Sequence, residues 1–152
     1  GVEEERRAAV FARLVLDRAA AVAALTLVGV LLAGRADAQQ TAAATGDYLF
    51  RTYCAACHGA SARGDGPLAD SMRRRPSNLT EIAKRNKGVF PSEEMLRVID
   101  GRVPVKGHGG PDMPVWGDVF ARSVDGSDPA VVQARIKALV AFLESIQART
   151  AN

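Results

Sequence analysis

Cys54-Ala55-Ala56-Cys57-His58 contains both cysteines of this 152-residue chain and one of its two histidines. A Cys-x-x-Cys-His run is typical of covalent c-type haem attachment. The chemistry requires this order, because two nearby thiols can each add to a vinyl group of the porphyrin while the adjacent imidazole binds the iron. The segment therefore predicts one haem c, held by Cys54 and Cys57, with His58 as an iron ligand.

Other uses of this motif fit the rest of the chain less well. A thioredoxin-like dithiol requires a βαβ setting, and no such pattern precedes Cys54. A structural zinc site requires four ligands, whereas the only further Cys or His is His108. An exported chain can also form a disulfide, but the histidine next to Cys57 favours thioethers.

Residues 1–38 have the features of a secretory signal peptide. Four arginines precede an uncharged run of 15 residues at 19–33, and Ala36-Asp37-Ala38 resembles a cleavage site. As a helix this run rises about 22 Å, less than a hydrocarbon core of roughly 30 Å. We therefore expect export to the periplasm with cleavage after Ala38. The alternative is a retained anchor in the inner membrane, facing the periplasm.

The remaining residues, 39–152, carry 15 basic and 12 acidic side chains. A net charge this small gives no case for a nucleic-acid partner. The basic residues are concentrated in one part of the chain: Arg73, Arg74, Arg75, Lys84, Arg85 and Lys87. This group is either a solvated surface or a docking surface for an acidic redox partner, which would act mainly on the rate of encounter.

The pattern upstream of the haem motif predicts a helix. Residues 39–45 are polar and alanine-rich, and we expect a mobile lead-in there. A helix is predicted over 46–57, with Thr45 as its N-cap and an apolar stripe facing the core. Gly59 to Gly66 then reads as a glycine-rich loop.

Two further helices are predicted downstream. The first begins with Ser92 as N-cap and ends at Gly101, with Met95 on its buried face. The last begins at Asp128-Pro129 and carries a long apolar stripe. Residues 102–117 are rich in glycine and proline and predict a long ordered loop. Since strand signals are few, the fold class is a small all-α protein.

The sixth ligand of the iron decides between electron transfer and ligand binding. Met95 is expected in the core because it lies on the apolar face of a helix. Met72 precedes a run of arginines and is expected at a haem edge or exposed. His108 lies between flexible glycines. Met113 has prolines on both sides, which stiffen its backbone and suit a sulfur held against iron.

Four segments together resemble the bacterial class I c-type cytochromes: Gly46-Asp-Tyr-Leu-Phe50, Cys54-Ala-Ala-Cys-His58-Gly, Gly64-Asp-Gly-Pro67 and Asp112-Met-Pro-Val-Trp-Gly117. The resemblance extends from residue 46 to about 147. It implies a cytochrome c domain over 46–148, in which three main helices and loops surround one covalent haem.

The resemblance also assigns residues to roles. Cys54 and Cys57 would hold the haem, with His58 and Met113 as axial ligands to the iron. Pro67 matches the proline whose carbonyl accepts a hydrogen bond from the axial histidine, which would orient the ring.

Three further roles follow from the same resemblance. Trp116 would either donate its indole N–H to a haem propionate or pack on the haem edge. Gly46 and Phe50 match the positions where the first helix crosses the last one, near Leu139 and Phe142.

The function implied is that of a one-electron carrier between periplasmic or membrane redox partners, and not of an enzyme. Two alternatives stay open. In the first, the chain is a haem subunit of a dehydrogenase or oxidase complex, and a retained 19–33 anchor favours this. In the second, the chain is a haem peroxidase or gas sensor, which would require an open sixth coordination site on the iron and a positioned acid or base.

Overall fold

A computed structural model describes residues 1, 6, 38–102, 113–123 and 128–148. The chain divides into two compact units, Gly1–Ala38 and Gln39–Asn152. Apart from three residues, the predicted signal peptide or anchor lies outside the described residues. The fold presented below is that of the second unit.

The described part of the second unit is helical and contains no strand. This confirms the predicted all-α class. The helices are α1 (described over 38–53), α2 (Ala55–His58), α3 (Ile82–Arg85), α4 (Ser92–Asp100), α5 (Trp116–Ala121) and α6 (Pro129–Ser145), with 3-10 turns at Ala69–Ser71 and Leu79–Glu81.

Helix α1 begins earlier in the chain than the sequence predicts. Residues 39–45 are already helical, and the Thr45 hydroxyl donates a hydrogen bond of 3.1 Å to the carbonyl of Thr41. This four-residue bond is the back-bonding that Thr makes inside a helix. The prediction of Thr45 as N-cap was therefore wrong, while the mobility of 39–45 stays a prediction.

The ends of α4 and α6 test three further predictions. Gly101 ends α4 in the left-handed conformation (φ 70°), as predicted. Asp128 caps α6, because its carboxylate accepts a 2.8 Å hydrogen bond from the amide of Ala130. Ser92 is not the N-cap, so that prediction was wrong. Pro91 occupies the non-helical cap position, α4 begins at Ser92, and no side chain makes a capping hydrogen bond.

Helix α6 supplies the largest share of the core and packs against both α4 and α5. Its buried residues are Val132, Ile136, Ala138, Leu139, Val140 and Leu143. Helix α1 crosses α6 where Gly46 meets the backbone of Ala138. The rings of Phe50 and Phe142 pack next to this crossing, with their centroids 5.2 Å apart.

The long loop predicted over 102–117 is shorter at its C-terminal end, because α5 begins at Trp116. Trp116 and Phe120 are one helical turn apart and both are buried, so packing against the core stabilises a helix in a context rich in glycine and proline. Residues 103–112 of the predicted loop lie outside the described residues.

Candidate haem-attachment site

The three residues of the attachment motif are placed by a single turn of helix. The amides of Cys57 and His58 both donate to the carbonyl of Cys54, over 3.1 and 2.9 Å. Both cysteines are free thiols. All three side chains are half-buried, so they stand at the boundary between the core and the surface. An apolar ring seated here can contact the core while its edge reaches solvent.

The loop after α2 folds back and caps the end of that helix. The last carbonyls of a helix have no partner within the helix itself, and three loop amides provide partners here. The bonds are Gly64 to His58 (2.8 Å), Gly66 to Cys57 (3.2 Å) and Leu68 to Ala56 (3.0 Å). A Cβ on Gly66 would lie 2.5 to 2.7 Å from the carbonyl oxygens of α2. Glycine is therefore required for the loop to approach this closely.

His58 is oriented by a backbone carbonyl, but not by the one that the resemblance implied. Its Nδ1 lies 3.3 Å from the carbonyl oxygen of Ser77, whereas Pro67 is exposed in the turn that caps α2. The expected Pro67 contact is therefore corrected to Ser77. Since a carbonyl can only accept, Nδ1 carries the proton, and this leaves the Nε2 lone pair for a metal.

The segment around Ser77 is fastened to the loop on both sides. The amide of Leu79 donates to Ala62 over 2.7 Å, and the guanidinium of Arg75 donates to Gly64 over 3.2 Å. A Cβ on Gly64 would overlap the carbonyl oxygen of Pro76. The carbonyl that faces His58 is thus held in place by contacts before and after it.

Burial shifts two pKa values at the site. It lowers the pKa of His58 below the ordinary value of 6.5, although the hydrogen bond to Ser77 acts in the opposite direction. Burial, and secondly the nearby Cys57, raise the pKa of the Cys54 thiol to about 12. At neutral pH the site therefore presents a neutral imidazole, the form that binds iron, and a protonated Cys54 thiol.

The methionines take different positions. Met95 is 5% exposed and belongs to the core cluster, as predicted. Met113 is partly buried and packs against that cluster from the segment before α5. Met72 is half-buried. The rival ligand His108 lies outside the described residues. Met113 therefore stays the candidate for the second axial ligand.

Trp116 belongs to an aromatic cluster that the sequence did not reveal. The ring of Tyr53, which directly precedes Cys54, packs edge-on against Trp116 (5.7 Å) and Phe120 (5.5 Å). The guanidinium of Arg135 lies 5.9 Å from the Phe120 ring centre. The cluster connects the attachment motif to α5, three residues after Met113. The four-residue spacing of Trp116 and Phe120 was the available signal for α5.

The donor set fits a c-type haem. Two free thiols and an imidazole with an available Nε2 lie on one turn of helix. The capping loop closes behind that turn, and a partly buried thioether is offered by Met113. These are the groups that two thioether links and two axial bonds require.

Comparison with known proteins agrees with this geometry. Residues 41–126 match the family model described as cytochrome c oxidase, cbb3-type, subunit III. This match covers more than half of the 152 residues. The chain belongs to this family. It is a c-type cytochrome, and a single-haem class I protein is consistent with the match. No curated protein and no solved structure matches the chain.

The cytochrome match includes the attachment motif, Ser77 and Met113. Cytochrome c domains are generally extracytoplasmic. Among the residues that the structure describes, no helix has the length and apolar character needed to cross a membrane.

Proposed function

We propose that this cytochrome is a one-electron carrier with a single haem c attached through Cys54 and Cys57. The observation that carries the proposal is the α2 turn, where both thiols and His58 are presented together and the Ser77 carbonyl fixes the histidine tautomer. When bound, haem c supplies an iron that alternates between Fe(III) and Fe(II). The chain's own residues hold the group, orient its ligand and exclude water.

His58 Nε2 and Met113 Sδ are the axial ligands in this proposal. A methionine sulfur raises the reduction potential relative to a second nitrogen ligand. Pro67, exposed in the capping loop, stays a predicted residue of the haem site. Trp116 contributes from the aromatic cluster, as a propionate donor or as a wall of the haem edge.

The raised pKa of Cys54 bears on when the haem is attached. A thiol must be deprotonated to act as a strong nucleophile, and burial opposes this in the folded chain. We infer that the Cys54 thioether forms on the unfolded chain after export to the periplasm, and that folding around the haem follows. The predicted cleavage after Ala38 fits this order.

Two measurements on the haem-loaded chain test the proposal. Extraction with acidified acetone should leave the haem on the wild type and release it from the Cys54→Ala/Cys57→Ala variant. A potentiometric titration should follow a one-electron curve that is the same in both directions. Haem that is extracted from the wild type would contradict covalent attachment. An iron that binds CO tightly when reduced would contradict the carrier function and favour a sensor or peroxidase.

A second candidate function is supported by the description of the matched family, which names a subunit of an oxidase. In that case the same chemistry serves a membrane oxidase complex instead of a freely diffusing shuttle. Fractionation of the source cells separates the two. A chain that sediments with membranes and co-purifies with oxidase activity is a subunit, whereas a chain released by osmotic shock is a periplasmic carrier.

A further inference from the structure

Positive charge is concentrated in one stretch of the chain, whose cations we call the arginine face: Arg73, Arg74, Arg75, Lys84, Arg85 and Lys87. All six residues are exposed. Only two acidic residues, Asp70 and Glu81, fall within 70–87, so this stretch has a net charge of +4. Because the whole chain has a net charge of +3, the other residues together sum to −1. The charge of this protein is therefore strongly asymmetric.

Two cations of the arginine face are fixed in position. Arg75 donates to the carbonyl of Gly64, and Arg85 donates to the carbonyl of Asn78 over 2.9 Å. Arg73 and Arg74 have no acidic side chain within ion-pair distance among the described residues. The face thus combines anchored cations with cations whose charge is not neutralised by a neighbour.

The stretch that carries the arginine face also holds the hydrogen-bond partner of the attachment-site histidine. Arg75 and Asn78, the residue that Arg85 holds, are on either side of Ser77 in the chain. Ser77 is exposed, while its carbonyl contacts His58 Nδ1 at 3.3 Å. Ser77 therefore joins the stretch that carries this face to the iron ligand.

We propose that the arginine face is the docking surface for an acidic protein partner, which is thereby brought to the His58 side of the site. This inference rests on the proposed carrier function, since a redox partner must come close to the haem. Complementary charge would steer the encounter and set its orientation more than it would tighten the complex. Docking itself forms no covalent bond and moves no proton.

Binding of poly-L-glutamate to the haem-loaded chain, measured by calorimetry, tests the proposal. Binding should be clear at low salt and fall steeply as salt is raised. Arg73→Gln/Arg74→Gln should weaken it roughly tenfold, as expected for two exposed charges. The control Arg122→Gln/Lys137→Gln removes the same charge from exposed positions outside the face and should change it little. In NMR spectra, amide shifts on adding the peptide should centre on 73–87.

Several results would overturn the docking surface. One is that both double variants weaken binding equally, and another is that poly-L-glutamate does not bind at low salt. A third is that the chain binds vesicles of anionic phospholipid but not poly-L-glutamate, which would assign the face to a membrane. The carrier function is judged separately, by the potentiometric titration. If the chain is reduced and oxidised by one electron but does not bind the acidic peptide, only the docking surface is contradicted. If it is not reduced and oxidised by one electron, the proposed function is contradicted.

Discussion

Gly46 of α1 lies so close to Ala138 of α6 that a Cβ at position 46 would overlap the carbonyl oxygen of Ala138. It would also lie 2.7 Å from the Cβ of Phe142. The crossing of these two helices therefore depends on the absence of a side chain, and the Phe50–Phe142 ring pair holds the helices beside it.

Gly46→Ala is expected to destabilise the protein by about 1–3 kcal/mol, because the helices must separate to admit the methyl group. The sign of the change in the free energy of unfolding is informative, because alanine in an isolated helix is more stable than glycine by about 1 kcal/mol. Urea unfolding of the haem-loaded chain measures the change. A variant as stable as the wild type, or more stable, would show that the helices do not approach as closely as described.

Gly64 and Gly88 form a matched pair for testing the segment that faces His58. Both have positive φ, 77° and 87°, so alanine is strained at either position. A Cβ on Gly64 would overlap the Pro76 carbonyl, whereas a Cβ on Gly88 would meet nothing within 4 Å. Gly88→Ala should cost about 1–2 kcal/mol from the backbone alone.

Gly64→Ala should cost more, and it should also displace Ser77 from His58. NMR detects this second effect as a shifted or faster-exchanging Nδ1–H signal of His58 in the haem-loaded chain. The same signal should be unchanged in Gly88→Ala. An identical His58 signal in both variants would argue against Ser77 as the group that orients the ring.

The lowered pKa of His58 predicts how stability depends on pH. Between the folded-state pKa and the ordinary 6.5, the unfolded chain binds more protons at this residue than the folded chain. The free energy of unfolding should therefore be at its full value above about pH 6.5 and fall as the pH is lowered below it. A metal held by Nε2 would act in the same direction, because it competes with the proton.

Urea unfolding of the His108→Gln variant at several pH values isolates this effect, because His58 is then the only histidine. Asp100 does not interfere, since the hydrogen bond from Arg102 lowers the pKa of its carboxyl below 3.8. The contribution of Asp100 is lost only at more acidic pH. A stability that stays constant from neutral pH to about pH 5 would contradict a buried, neutral His58.

Gln147 fastens the end of α6 to the 3-10 turn at Leu79–Glu81. Its side-chain oxygen accepts from Ala83 (2.8 Å), and its nitrogen donates to the carbonyls of Leu79 (2.9 Å) and Leu143 (2.6 Å). Gln147→Met keeps the size but removes all three bonds. We expect a loss of about 1–3 kcal/mol, because partly buried backbone groups lose their partners. Gln133→Met, which removes one exposed bond to Asp100, is the control and should be nearly neutral.

Sequence patterns were most reliable where the local signal and the tertiary packing agree. The apolar stripe of α6, its Asp128 cap and the Gly101 end of α4 were all predictable, because each depends on side chains or backbone conformations that specific residue types favour. The start of α1 was not predictable, because the polar, alanine-rich residues before Gly46 contain no helix-stop signal and are compatible with either a helix or a mobile segment.

The histidine partner shows the main limit of sequence reasoning at this site. Every residue has a backbone carbonyl, so nothing in the chemistry of Ser77 distinguishes it from Pro67. The choice depends on how the segment after the capping loop returns to α2. Gly64 and Ala62 determine this through backbone contacts, and Arg75 through its guanidinium. The thiols and the imidazole, in contrast, are recognised by residue type and spacing alone.

Axial ligation by Met113 is the central claim, and optical spectra of the oxidised, haem-loaded protein test it most directly. The wild type and Met95→Ala, a control in the core, should both show the weak far-red band of a sulfur–iron(III) bond. Met113→Ala should lose this band and bind CO when reduced. A wild type without the band, or a Met113→Ala variant that retains it, would contradict His58/Met113 ligation and the carrier function built on it.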